Sequence, residues 1–353
     1  MRVRIFNPIH DEGWRKLVEG HESSSIYQHP LYMEALARTY PHLEPFGFVI
    51  MDDNDNYTAG IPFFLVKSWL TGRRLVSLPF SSYSDPLIKS DEEFQFLFQE
   101  VLRFYSENHL DYIELKPLKG IGFIERNAIL TASFDQKTHI MGLSQNLDAL
   151  LKNLDRTNVR QKIARAEKDG IYVRDASTEE ETLAFYAFLL KSRKRLGLPP
   201  QYLSFFLNLW RLLYPAGFLN LLCAEMNGSA IGFLLYLKFK NTIYAEYIAS
   251  DYDKFALGVN QALFWTAIKQ GVSKDYEFFD FGKSLNKNIG LLNFKRHWGA
   301  VENEAPTFYY PRSKSLSGEK QERYSYKLMT YLFKKMPEPL LKWSSRFLYK
   351  HMG

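Results

Sequence analysis

The sequence holds one cysteine in 353 residues, Cys223, inside the apolar run FLNLLCAEM. A single thiol excludes an internal disulfide and any multi-thiolate metal site. A reducing, cytoplasmic setting is therefore expected, and the thiol itself reads as buried packing. No apolar run reaches the roughly 18 residues that suggest a membrane span. The opening residues MRVRIFNPIHDE lack a signal-peptide core, so neither spanning nor export is expected. No set of His, Asp and Glu has metal-ligand spacing, and no G-x-S-x-G marks an esterase. Asp280-Phe281-Gly282 copies the metal-binding triplet of protein kinases. The Gly-rich loop, the strand lysine and the His-Arg-Asp loop that this chemistry needs are missing. Charge of one sign is also missing from most of the chain. Of 45 basic and 39 acidic residues, nine and three fall in 313–353, which leaves 36 of each elsewhere. The whole excess of +6 is in that stretch, which argues for a basic tail and against a basic nucleic-acid-binding body.

What is present suffices for two α/β domains: 46% of the residues are apolar and 16% aromatic. In the second half, NVRQKIARAEK reads as a short helix and GIYVRD as a strand. Helices over 179–196 and 201–213 follow, then strands FLNLLCAE, AIGFLLYLKF and TIYAEYIAS. A helix over 258–270, strand YEFFDF, a short helix and strand TFYYP complete the order. The first half repeats it: RVRIF, helices over 11–19 and 30–40, strands PFGFVIMD, YTAGIPFFLVK and RLVSLPF, helix DEEFQFLFQEVLRFYSEN and strand DYIELKPL. NAILTAS and THIMGLS are expected to close that half. The domains predicted are 1–150 and 151–312, followed by a tail over 313–353.

This order resembles the GNAT acetyltransferase fold, in which the strands flanking the central helix splay to admit an acyl donor. The pyrophosphate loop of that fold, R-x-x-G-x-G, is represented only by DYDKFALGVN with the single Gly258. NVRQKIARAEKDGIYV and FDFGKSLNKNIGLLNFKRHWGA resemble the opening and closing segments of the second domain in the FemAB/FemX family. LGLPPQY, GSAIGFLLYLKF and GVNQALFWTAIKQG fit between them, and SLPFSSYSDPLI resembles a first-domain stretch. The likeness extends to the FemAB-related proteins of bacterial exopolysaccharide and exosortase systems. It implies transfer of an acyl or aminoacyl group to an amine of a cell-envelope glycan or peptide precursor. Acyl-CoA or aminoacyl-tRNA would be the donor substrate, with no tightly bound cofactor.

The resemblance also implies residues. Lys295 falls at the Phe-Lys position, where an ammonium would stabilise an oxyanion; otherwise it is a surface lysine beside Arg296. Asp280 would accept from the attacking amine or cap a turn. Arg160 would grip phosphate, unless it belongs to a solvated face with Arg156 and Glu167; its expected partner lysine is replaced by Leu36. Lys283, Ser284 and Asn260 are further substrate-binding candidates. Tyr83, Ser84 and Asp85 are expected on the first-domain side, unless SYSDP is an ordinary turn, with His29 a weaker candidate. Trp298 reads as packing.

In the tail, aromatic and basic residues alternate over 324–353. Peripheral contact with the inner face of a membrane and packing on the body are both compatible with that pattern. A CoA-dependent N-acyltransferase acting on an amino sugar and a non-catalytic membrane-surface adaptor are the competing functional readings. Charged tRNA remains a possible partner, although the long helical arm of some tRNA-using relatives has no counterpart.

Overall fold

The structure, a computed structural model, describes residues 2–144, 146–311 and 322–351. The start of the predicted tail, 313–321, lies outside them. The first half runs β1 (Arg2–Phe6), α1 (Glu12–Gly20), α2 (Pro30–Thr39), β2 (Leu43–Met51), β3 (Tyr57–Ser68), β4 (Gly72–Val76), α3 (Asp91–Glu107), β5 (Tyr112–Leu115), α4 (Ile121–Glu125) and β6 (Thr131–Ser133). Next come β7 (Gln136–Gly142), α5 (Leu147–Asn153), α6 (Gln161–Lys168), β8 (Tyr172–Asp175), α7 (Glu179–Leu196) and α8 (Leu203–Leu213). The chain continues through β9 (Leu219–Met226), β10 (Ser229–Phe239), β11 (Thr242–Ser250), α9 (Val259–Ser273), β12 (Phe278–Leu285) and α10 (Ile289–His297). It ends with β13 (Val301–Glu304), β14 (Thr307–Tyr310), α11 (Glu322–Lys335) and α12 (Glu338–Tyr349).

Two seven-stranded sheets result, in the orders β1-β2-β3-β4-β5-β14-β6 and β8-β9-β10-β11-β12-β7-β13. The two orders correspond position by position. Paired helices follow the first strand of each, and one helix, α3 or α9, links the fourth strand to the fifth. The repeat of topology expected from the sequence is therefore present: this is a tandem α/β fold.

Helix boundaries follow the local chemistry. Ser90 caps α3, whose first turn carries Asp91, Glu92 and Glu93 against the helix dipole. Thr178 and Glu181 form a capping box on α7, which ends in Arg193, Lys194 and Arg195. Helix α9 is apolar on most sides, and Val259, Leu263, Phe264, Ala267 and Ile268 fill the second core with strands β9 to β12. Cys223 is buried on β9, and burial pushes its thiol up to about 11. The expectation of a packed thiol holds.

One part of the expected layout needs correction. THIMGLS does not close the first half. As β7 it pairs antiparallel with β12, from Phe278↔Gly142 to Leu285↔Gln136. TFYYP does not close the second; as β14 it lies between β5 and β6. Each sheet thus takes one strand from the other half of the chain, and boundaries at 150 and 312 do not divide it. The first unit comprises Met1–Asp135 with later stretches holding β14 and the end of α12; the second comprises Gln136–Asn303 and Met329–Lys342. The reason lies in the side chains. Thr138 and His139 are fully buried polar residues that find Asp280 and Glu302 beside them in the second unit. Phe308 joins the apolar core of the first.

Candidate functional site

Strands β11 and β12 run parallel and pair only from Thr242↔Phe278 to Tyr244↔Asp280. Both continue, to Ser250 and Leu285, without further pairing to each other. A gap therefore opens between them, edged by backbone amides and carbonyls that the ladder leaves unused.

At the mouth of the gap β12 bulges. Its register on β7 shifts between Asp280 and Lys283, and Gly282 there has φ 72°, a left-handed conformation that suits glycine. Asp280 Oδ1 accepts from the Gly282 amide at 2.7 Å and from the Thr138 hydroxyl at 3.2 Å. From α10, Lys295 Nζ donates to the Gly282 carbonyl at 2.6 Å and the Lys283 carbonyl at 3.2 Å. Lys295 is buried, and desolvation lowers its pKa to about 8 against the opposing charges of Asp280 and Glu246. The surface-lysine alternative is thereby excluded. Ser284 is buried next to the bulge, and its hydroxyl has no hydrogen-bond partner among the described residues. The structure thus brings Asp280, Lys283, Ser284 and Lys295 together.

A second group sits where α9 begins. Gly258 caps the helix at φ 84° with no side-chain cap, and a Cβ there would stand 2.3 Å from the Lys162 carbonyl. Asn260 Oδ1 and Arg160 Nε are buried atoms without a partner among the described residues, although both side chains are half-exposed. Arg160 ends a π-type turn, Arg156–Arg160. Gln261 Nε2 holds that turn through the Asn158 carbonyl at 3.2 Å, and the Asn158 amide nitrogen lies 3.4 Å from His297 Nε2 on α10. The two groups are thereby tied within one unit.

Tyr83 and Asp85 belong to the first unit, where both side chains are buried. Asp85 Oδ1 accepts from the Leu118 and Gly120 amides at 2.8 and 2.7 Å, securing the entry to α4. Complete burial raises its carboxyl to about 6. Tyr83 packs edge-on to Tyr27. His29 caps α2, and burial depresses its imidazole to about 4. Leu36 is core, and Trp298 packs among Phe264, Phe281 and Phe294 as expected.

Sequence reasoning missed Glu246, Thr138, His139 and Glu302. His139 Nε2 stands 3.4 Å from Glu302 Oε1, and burial, followed by the nearby Lys295 charge, lowers its pKa. Glu302 is held at about 2, chiefly by its hydrogen bond from Arg296. The available signal for Glu246 was an acid inside the apolar strand TIYAEYIAS. For Thr138 and His139 the signal was a polar pair within THIMGLS.

Comparison with known proteins places this geometry. Residues 155–296 match the acetyltransferase (GNAT) domain family. The structure of FemX is similar over 94% of this chain and 100% of its own, with a TM-score of 0.74 and 15% identity. L-PGS from Bacillus licheniformis is similar over 94% and 99%, with a TM-score of 0.57 and 13% identity. A tandem GNAT protein from the clavulanic acid biosynthesis pathway is similar over 87% and 98%, at 0.54 and 9%. No curated protein matches the sequence. At these identities the structural likenesses establish the fold, a tandem GNAT architecture of the FemX type. The family match covers the stretch of the second unit that holds β11, β12 and Lys295, and it is to an acetyltransferase domain.

Proposed function

We propose that the chain transfers an acyl or aminoacyl group to an amine, and that the reaction takes place in the gap between β11 and β12. The carrying observation is the parting of these strands after Tyr244↔Asp280, with the charges of Lys295 and Glu246 acting on each other beside it. The edge of β11 over 245–250, beyond its pairing with β12, suits an extended donor chain lying alongside it. A neutral amine attacks the donor carbonyl, its lone pair forming the new C–N bond, and the carbonyl oxygen becomes an oxyanion. Lys295 spends two of its three donors on the bulge carbonyls, and the third, with the Ser284 hydroxyl, serves that oxyanion. Glu246 takes the amine proton as general base. Collapse breaks the bond to the leaving group, which departs as a thiolate or a ribose alkoxide and takes up the proton that Glu246 received.

The donor in this reading is an acyl-CoA. Its phosphates would lie at the uncapped start of α9, with Asn260 and Arg160 beside them. Its support is the GNAT domain match and a tandem GNAT relative described without AcCoA. Aminoacyl-tRNA is the alternative donor, and the likeness to FemX and L-PGS favours keeping it in the test. The acceptor is an amine on an envelope glycan or peptide precursor, met on the cytoplasmic side of the membrane. Titration of the full chain with acetyl-CoA and with charged tRNA discriminates the donors. Mass spectrometry of envelope precursors from cells with and without the gene then reads the transferred group. Binding of neither donor, with no mass difference, would overturn the reading.

A further inference from the structure

The first unit carries an exposed aromatic face that acyl transfer does not use. The turn joining β3 to β4 puts Trp69 and Leu70 outward, with Trp69 79% exposed. Beside it, the last turns of α12 present Trp343, 69% exposed, and Phe347. Spacings of three and four set Trp343, Arg346 and Phe347 along one side of the helix, with exposed Lys350 in the turn that follows it. The opposite side is anchored: Ser345 and Tyr349 are buried, and Tyr349 lies parallel to Tyr40 with ring centroids 5.9 Å apart.

The two elements are fixed to each other. The Ser68 hydroxyl lies 2.8 Å from His351 Nδ1, and Thr71 Oγ1 donates to the His351 carbonyl at 3.0 Å. The Trp69 ring sits 5.2 Å from that of His351 and 6.4 Å from that of Phe347. The aromatic knob is therefore built in advance of any partner.

We propose that this face docks on an anionic phospholipid bilayer, with Trp69, Leu70, Trp343 and Phe347 entering the interface and Arg346 and Lys350 meeting headgroup phosphates. Charge selects that occupant. Over 338–350 the chain carries Lys342, Arg346 and Lys350 against Glu338 alone, a net charge of +2. Indole rings settle at the boundary of water and hydrocarbon, and each cation adds attraction to acidic lipid. A second copy of the chain meeting this face across a two-fold axis would bring together two surfaces that each carry Arg346 and Lys350, a seam of one charge sign. The inference does not depend on the reaction assigned above.

The test is sedimentation of the full chain with phosphatidylcholine vesicles, plain or containing about one-third phosphatidylglycerol. Binding to the acidic vesicles alone, weakened by salt and accompanied by a blue shift of tryptophan emission, is expected. Trp69→Ser and Trp343→Ser should each lower affinity about tenfold. The pair Arg346→Glu and Lys350→Glu should remove the preference for acidic lipid. All these side chains are exposed, and unchanged circular dichroism would confirm that the variants fold. Three results would overturn the proposal. These are equal binding to plain vesicles, binding unaffected by the tryptophan variants, or no binding to the acidic vesicles, in which case a concentration-dependent dimer that Trp69→Ser abolishes would assign the face to a second copy.

Discussion

The two units share a topology and differ at the one place where the topology makes a gap. In each, the fourth and fifth strands run parallel for a short register and then part, after Val76↔Glu114 in the first and Tyr244↔Asp280 in the second. In the first, β4 stops and the chain turns back into the space. The Ser84 amide donates to the Lys116 carbonyl at 2.7 Å, and Leu87 and Gly60 exchange amide–carbonyl bonds at 2.8 Å. Carbonyls two residues apart on a strand point the same way. Lys116 therefore accepts on the edge where Glu114 accepts from Ser77. The segment over 77–88 fills what the second unit leaves open. There β11 continues to Ser250 and the chain leaves through Tyr252–Leu257 for α9. One fold, used twice, gives one plugged copy and one open copy.

That contrast can be broken in order of effect. Glu246→Gln in the open unit should lower kcat by about a hundred-fold or more, the usual yield of a general base. Glu114→Gln, at the position of the plugged unit that matches Asp280, should leave steady-state turnover unchanged. Lys295→Met should cost about a hundred-fold in kcat/KM. The pH dependence sharpens that test. Wild-type activity that needs the ammonium should fall as pH rises through about 8. Stability should move the other way. The folded state releases the Lys295 proton near 8 while the unfolded chain holds it to about 10.4, so stability rises across that window. Denaturant titrations should show that rise in the wild type and its loss in Lys295→Met.

Gly258→Ala forces a Cβ against the Lys162 carbonyl at a left-handed position. It should cost about 1–3 kcal/mol in thermal unfolding and raise the donor KM. Asp85→Asn should have the smallest effect, with turnover unchanged. The raised Asp85 pKa stabilises the fold below about 4, and that contribution is lost as pH rises through about 6. The variant should lose this slope between pH 4 and 6.

The sequence made much of this visible. Periodicity and turn residues placed most of the helices and strands, and the acid, glycine and lysine of FDFGKSLNKNIGLLNFKRHWGA lie together around one bulge. What stayed hidden depended on distant pairing. Only Phe134 and Asp135 separate β6 from β7, and only Ala305 and Pro306 separate β13 from β14. Such short links read as hairpins, yet in both places the neighbouring strands join different sheets. His139 was therefore assigned to the wrong unit, and its pairing with Glu302 had no local mark. Tyr83 and Asp85 lie on the segment that fills the first unit's gap, and a plug and a binding loop use the same turn chemistry.

Hydrogen–deuterium exchange of the full chain with and without the donor that binds tests the central claim most directly. The account predicts donor-dependent protection of amides in 245–250 and at the start of α9, with none in 77–88. Protection of 77–88 alone, or a bound donor that protects neither stretch, would contradict it.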